Sequence, residues 1–438
     1  MFVSFRPPAP RAKRRRSVWA LALFAAFASP MAYGQTRLSL DHALQLAQAR
    51  SQQLAAQDTA ADAAREMARA AGALPDPQLK AGINNLPIDG EDKFNLTRDF
   101  MTMRSIALMQ EFTRADKRAA RAARFEREAD VAAATRVLAL ASLQRDTAMA
   151  WLERHYAERM RDVLSTLRDE ARLQIDAADA AYRGARGPQA DVFAARAAVA
   201  QIEDRIALND RALATAQARL ARWVGESAGL SLAPPPDMTA LRIDASAIET
   251  EVASHPQIAL LARREDVARA EANVASSNKR ADWSVELMYS QRGPAYSNMV
   301  SINVSIPLQW DQKHRQDREL AARLSMTEQA RAEREEATRE RAAEVRTWRT
   351  SWQNSRDRLR RYDESLLPLA AERTRAALAA YRGGAGPLAA LLEARRMEID
   401  TRMERLRIEM DSAALWAQLQ FVVPMDRSTG TSAKEQIK

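Results

Sequence analysis

The chain has 438 residues, no cysteine, only 13 glycines, and 66 lysines and arginines against 57 aspartates and glutamates. Average chains carry roughly 7% glycine, so this glycine-poor, alanine- and arginine-rich composition points to long helices and away from glycine-rich nucleotide-binding folds. Without cysteine there are no disulfide scaffolds, thiolate metal sites, cysteine nucleophiles or lipidated N-terminal cysteine.

The formal charge of +9 suggests nucleic acid until it is mapped. Residues 1–34 hold Arg6, Arg11, Lys13, Arg14, Arg15 and Arg16 and no acid, which leaves +3 for the rest. Arg11 to Arg16 precede an apolar run from Val18 to Ala28, then Pro30 and Ala32-Tyr33-Gly34. A basic region, an apolar core of about 7–15 residues and a small-x-small site predict a secretory signal peptide, with the mature chain starting near Gln35. Nothing downstream reaches the roughly 20 apolar residues of a membrane-spanning helix. Secretion and a nearly balanced mature charge argue against nucleic acid as a partner.

After Thr113, the series Trp151, Leu152, Tyr156, Met160, Val163, Leu164 and Leu167 advances by three or four, the stripe of an amphipathic helix. Val345, Trp348, Trp352, Leu359, Tyr362 and Leu366 repeat the pattern after Trp310. A single helix from Thr113 to Tyr182 would span on the order of 100 Å, which implies a coiled-coil rod. Two patches have the other period. Trp283, Val285, Leu287 and Tyr289 alternate with polar positions, as do Val300, Ile302, Val304, Ile306 and Leu308, with a turn-forming Arg292-Gly293-Pro294 stretch between them. A weaker hairpin is predicted from Leu79, Ala81 and Ile83 with Ile106, Leu108 and Phe112. Roughly ten-residue alternating segments separated by turns are the signature of membrane β-barrels.

The halves repeat each other. Ala181-Tyr182-Arg183-Gly184-Ala185-Arg186-Gly187-Pro188 matches Ala380-Tyr381-Arg382-Gly383-Gly384-Ala385-Gly386-Pro387 at an offset of 199, and Ser105, Ile106 and Lys117 match Ser301, Ile302 and Lys313 at 196. Each half is predicted to run helix, hairpin, long helix, Gly-Pro turn, helix, with Pro234-Pro235-Pro236 between halves. The expected division is 1–34 signal peptide, 35–233 first repeat, 234–424 second repeat and 425–438 a flexible tail. Four strands cannot close a barrel, since about eight are needed, and open edges in lipid cost several kcal/mol per unpaired group. Copies must therefore share one barrel, two giving eight strands and three giving twelve.

No Gly-x-Ser-x-Gly, phosphate loop or embedded acid pair is present, so no enzyme and no cofactor is predicted. His42, His155, His255 and His314 are scattered singly, which argues against a metal centre. Met101, Met103 and Met109 offer thioethers suited to Cu(I), although such residues more often fill irregular apolar surface.

These features resemble the TolC-like outer-membrane factors of tripartite efflux systems over residues 38–424. Leu74-Pro75-Asp76-Pro77, Asn85-Leu86-Pro87, the Leu96 to Met103 stretch and Gln110-Glu111-Phe112 look like the branch that serves heavy-metal resistance-nodulation-division pumps. The resemblance implies a mainly α chain with a small β part, in which a homotrimer forms a twelve-stranded barrel in outer-membrane lipid and a periplasmic helical tunnel. It implies a passive exit duct for heavy-metal cations, fed by an inner-membrane pump through a periplasmic adaptor. It further implies an adaptor-docking rim of Tyr182, Arg183, Gly184, Gly187, Arg382, Gly383 and Gly386, and a periplasmic gate at Asp191 and Glu393. Glu393, in Leu391-Leu392-Glu393-Ala394, matches the family position, whereas a second expected acid is Ala390. Before the resemblance, the glycines are expected to supply the backbone reversal, and Pro188 and Pro387 the first turn of the next helix. The competing reading is a soluble periplasmic coiled-coil adaptor.

Overall fold

The computed structural model describes residues 37–242 and 255–425, so the signal-peptide segment and nearly all of the expected tail lie outside the described residues. The elements are α1 (Leu40–Arg50), α2 (Gln52–Gly72), β1 (Gln78–Asn84), β2 (Met103–Phe112), α3 (Ala115–Arg183) and α4 (Gln189–Val224). After a 3-10 turn at Gly225–Gly229 come α5 (Pro256–Ser277), β3 (Trp283–Gln291), β4 (Met299–Ser305), α6 (Gln316–Arg361), a π-helical turn at Tyr362–Leu366, α7 (Leu367–Arg382) and α8 (Leu388–Gln420). The chain is mainly α with one small four-stranded sheet. No helix among the described residues is long and apolar enough to cross a membrane.

The predicted 113–182 rod is α3, 69 residues and about 100 Å long. Its stripe is buried: Trp151 and Tyr156 are wholly enclosed, with Leu152, Met160, Leu164 and Leu167 beside them. Trp151 anchors the main core, where α1, α4, α6 and α8 meet α3, and its indole N–H donates to Leu38 O at 3.0 Å. Arg154 enters the same core, donates to the carbonyls of Ala228 (2.6 Å) and Leu230 (2.9 Å) and pairs with Glu158 at 2.8 Å, so its buried charge is compensated by a carboxylate and by backbone. The second stripe is only partly enclosed. Val345 and Trp352 are buried, whereas Leu366 is exposed.

The structure departs from the predicted repeat plan in three places. The first helical segment is broken at Ser51, which closes α1 and caps α2 by accepting from Leu54 N–H. The alternation that continues through Ile306 and Leu308 is strand only as far as Ser305, ahead of Pro307, which cannot donate to a ladder. The second long helix is interrupted by the π turn, just before Pro368; proline lacks the N–H of a regular turn and clashes with the carbonyl four residues back.

His255 caps α5 through Nδ1, which accepts from Gln257 N–H at 3.3 Å and so requires a neutral ring. Burial, and then the nearby Arg341 charge, depress its pKa to about 4. Above pH 6.5 the ring is neutral in both folded and unfolded chains. Between pH 6.5 and 4 only the unfolded chain takes up the proton, so stability should fall with pH, by on the order of 3 kcal/mol at the bottom of that window. Thermal unfolding at pH 7 and pH 4.5 should differ less in His255→Asn, which retains a capping acceptor, than in the parent chain.

Candidate functional site

Two ends of the molecule carry the candidate sites. The first is the sheet, an antiparallel meander in the order β1-β2-β3-β4. Register places Leu79, Leu108, Leu287 and Ile302 in one row across all four strands, and Ala81, Ile106, Tyr289 and Val300 in the next. Strand alternation puts these rows on one face, and their large side chains are exposed, Leu79 and Ile302 each to 71%. The opposite face carries Lys80, Ser105, Glu286, Ser301 and Asn303. Lys80 Nζ contacts Glu286 at 2.6 Å and Met109 Sδ at 3.3 Å, and Asn303 donates to Glu286 at 3.5 Å. The sheet thus has an apolar face, a polar face, and unpaired backbone along the outer edges of β1 and β4.

At the end away from the helices, the β1–β2 and β3–β4 loops pack together. Arg292 Nε donates to Phe100 O at 3.0 Å and the guanidinium lies over the Tyr296 ring at 4.9 Å, while the Tyr296 hydroxyl donates to Arg98 O at 3.4 Å. A Cβ on Gly293 would fall 1.8 Å from Thr97 O, so no side chain fits there without separating the loops. Gly293→Val should leave helix content unchanged by circular dichroism and make the 85–102 loop a new cleavage site in limited proteolysis.

The second site is the tip formed by the two Gly-Pro turns, brought together around one cleft of about 500 Å³ lined by Ala181, Arg186, Asp191, Tyr381, Arg382 and Gly384. Each turn closes a helix with the same pair of bonds: Arg186 N–H to Ala181 O (2.8 Å) with Ala185 N–H to Tyr182 O (3.0 Å), and Ala385 N–H to Ala380 O (2.9 Å) with Gly384 N–H to Tyr381 O (3.1 Å). This is a Schellman closure. Its left-handed residue is Ala185 in the first turn (φ 52°) and Gly384 in the second (φ 71°), not the glycines the sequence singled out. Gly184 and Gly383 are helix C-caps at φ −84° and −79°. What Gly184, Gly187, Gly383 and Gly386 provide is room: a Cβ on them would meet neighbours at 3.1–3.5 Å. Pro188 and Pro387 are the N-caps of α4 and α8, one residue earlier than expected.

The remaining candidate residues divide as follows. Tyr182 is 44% exposed, whereas its repeat partner Tyr381 packs on the small core of Ala178, Val192, Ala195, Leu388 and Leu391. Arg183 is exposed and pairs with Asp179 at 2.6 Å. Asp191 lies in the first turn of α4, where the helix dipole favours an acid. Glu393 is farther from the tip, in an apolar groove between α4 and α8, and Arg396 donates to it at 3.3 Å. Asp191 and Glu393 occupy different levels, because the repeat counterpart of Asp191 is Ala390 and that of Glu393 is Ala194. Met103 and Met109 lie on the polar face of the sheet, and Met101 is in the exposed β1–β2 loop. His155 stacks on Trp151 at 5.5 Å, His314 contacts Asp311 at 2.6 Å, the His42 backbone N–H donates to Ser39 Oγ at 3.2 Å, and among the described residues no group of three His, Asp or Glu side chains could hold a metal.

Sequence reasoning missed one internal lock. Lys117 donates to Asp282 at 2.7 Å and to Arg280 O at 3.1 Å, and Asp282 also accepts from Arg114 N–H at 3.1 Å, nearly buried where the sheet joins α3. Lys117 was visible only as a repeat match to Lys313.

No family model and no curated relative matches the chain. Among solved structures it is similar to the outer-membrane channel OprN, at 15% identity over 88% of this chain and 90% of that one with a TM-score of 0.73. It is also similar to the outer-membrane protein VceC of Vibrio cholerae, at 17% identity over 87% and 95% with a TM-score of 0.72, and to CusC, at 15% over 87% and 91% with a TM-score of 0.67. The chain has the fold of these outer-membrane proteins.

Proposed function

We propose that this chain is the outer-membrane channel of a tripartite efflux system, a passive duct that performs no chemistry. The observation that carries this reading is the sheet. An exposed apolar face, a polar face with charged side chains and two open edges suit strands of a barrel shared between copies, with lipid outside and water within. The apolar face is mounted on a helical rod about 100 Å long, long enough to cross a periplasmic gap. The fold shared with known outer-membrane channels supports the same reading.

Three copies would give twelve strands. The signal peptide directs the chain to the periplasm of a Gram-negative cell, and residues 35–233 and 234–424 are the two repeats. The tip, with Tyr182, Arg183, Gly184, Gly187, Arg382, Gly383 and Gly386, receives a periplasmic adaptor that links the duct to an inner-membrane resistance-nodulation-division pump. Asp191 and Glu393 act on cations at the narrow end, and the cargo is heavy-metal cations. Deleting the chain in its host and measuring intracellular copper, silver, cobalt, zinc and cadmium beside a panel of organic toxicants tests function and cargo together. Metal accumulation alone supports the full reading, and organic accumulation alone removes the metal assignment. Extraction of the protein by osmotic shock without detergent would instead favour a soluble adaptor.

A further inference from the structure

The two hairpins have the same internal register. Adding 206 to β1 numbers and 196 to β2 numbers converts Gln78↔Met109, Ala81↔Ile106 and Asn84↔Met103 into Ser284↔Ser305, Leu287↔Ile302 and Ser290↔Met299, all observed pairs. The hairpins are thus repeats of one unit at the level of individual residues. They are joined within the chain by the β2–β3 seam, in which Ile106 faces Tyr289 and Leu108 faces Leu287. At its helix end this seam is fastened twice: Phe112 stacks on Trp283 at 4.5 Å, and Lys117 pairs with Asp282 at 2.7 Å.

The same conversion applied to the seam identifies its counterparts at the free edges. Lys117 becomes Lys313, Asp282 becomes Asp76, Phe112 becomes Leu308 and Trp283 becomes Pro77. The base and the acid both recur with their signs on the same strands. Asp76 and Lys313 are exposed and make no ion pair among the described residues. They cannot meet within one chain, because β1 and β4 are opposite edges of the sheet, three strand spacings or about 14 Å apart.

We propose that β4 of one copy pairs with β1 of a second copy in the register of the β2–β3 seam, setting Ile302 against Ile83 and Val304 against Ala81, and that Lys313 and Asp76 form the ion pair that fastens this junction at its helix end. The apolar alternation through Ile306 and Leu308, which outruns β4 in the isolated chain, belongs to this junction: Leu308 takes the place of Phe112. The inference rests on the shared-barrel reading above and adds which residues meet.

A chain without cysteine makes the register directly testable. In the membrane-inserted protein, Ile83→Cys with Ile302→Cys places two thiols directly opposite, at the Cα separation a disulfide spans, whereas Ala81→Cys with Ile302→Cys is displaced by two residues. Oxidation should link the first pair into covalent multimers about tenfold or more above the second. Asp76→Lys should lower the temperature at which oligomers dissociate in SDS, and Asp76→Lys with Lys313→Asp should restore it. Native oligomers that crosslink preferentially through residue 81, or a double reversal no better than the single one, would overturn the register or the ion pair while leaving the channel reading intact. A monomer by mass measurement in detergent would remove both.

Discussion

Arginine in place of Val304 is expected to block membrane insertion, and arginine in place of its neighbour Asn303 is expected to be accepted. Val304 is on the apolar face, opposite Val285 and 61% exposed. Asn303 is on the other face, donating to Glu286. A guanidinium on the lipid face costs up to roughly 2–4 kcal/mol per copy, the cost falling from the bilayer midplane toward the interfaces, and each copy in an oligomer incurs it. On the lumen side an arginine stays in water and has the Glu286 carboxylate within reach. Heat-modifiable oligomer in purified outer membranes should therefore collapse for Val304→Arg and persist for Asn303→Arg, with altered single-channel conductance in the latter. Equal yields for the two variants would remove the assignment of faces.

The second large effect is expected at the tip. A Cβ on Gly184 would contact Arg186 Nε at 3.2 Å and Ala180 O at 3.3 Å, and one on Gly383 would contact Ala379 O at 3.3 Å. Tryptophan at either position should abolish export and lower crosslinking to the adaptor, leaving oligomer and membrane location intact because the sheet is at the far end of α3. The acids should behave differently. Asp191→Asn and Glu393→Gln each remove one negative charge per chain, and Glu393→Gln also leaves Arg396 without that partner. Single-channel cation preference should fall in both, with adaptor crosslinking preserved. Normal export by the tryptophan variants would displace the docking site, and unchanged selectivity in the acid variants would displace the gate.

Periodicity made most of this architecture legible. The three-four spacing from Trp151 to Leu167 and the alternation from Trp283 to Tyr289 report directly which side chains share a face, and burial and register follow them. Local backbone geometry was harder to see. The Gly-Pro turns look glycine-driven, yet the left-handed position of the first is Ala185, because the two closing hydrogen bonds fix the conformation and tolerate a methyl group. Aligning Ala185 with Gly384 would have marked the position. The π turn was signalled only by Pro368, and the Lys117–Asp282 pair links residues 165 apart, beyond what any local pattern encodes.

The π turn at Tyr362–Leu366 also makes the two long helices mechanically unequal. From Lys117 to Tyr182 the first runs without interruption, while the corresponding span from Lys313 to Tyr381 holds three more residues, as the two repeat offsets require, and includes the wide turn. There Leu367 N–H reaches back to Tyr362 O, Pro368 donates nothing, and Asp363 is held from outside by Arg405 at 2.7 Å. Helices bend where the hydrogen-bond ladder is interrupted. Under a transverse load the second strut yields first, about a fulcrum clamped by one arginine, and the first acts as the stiff member against which it flexes.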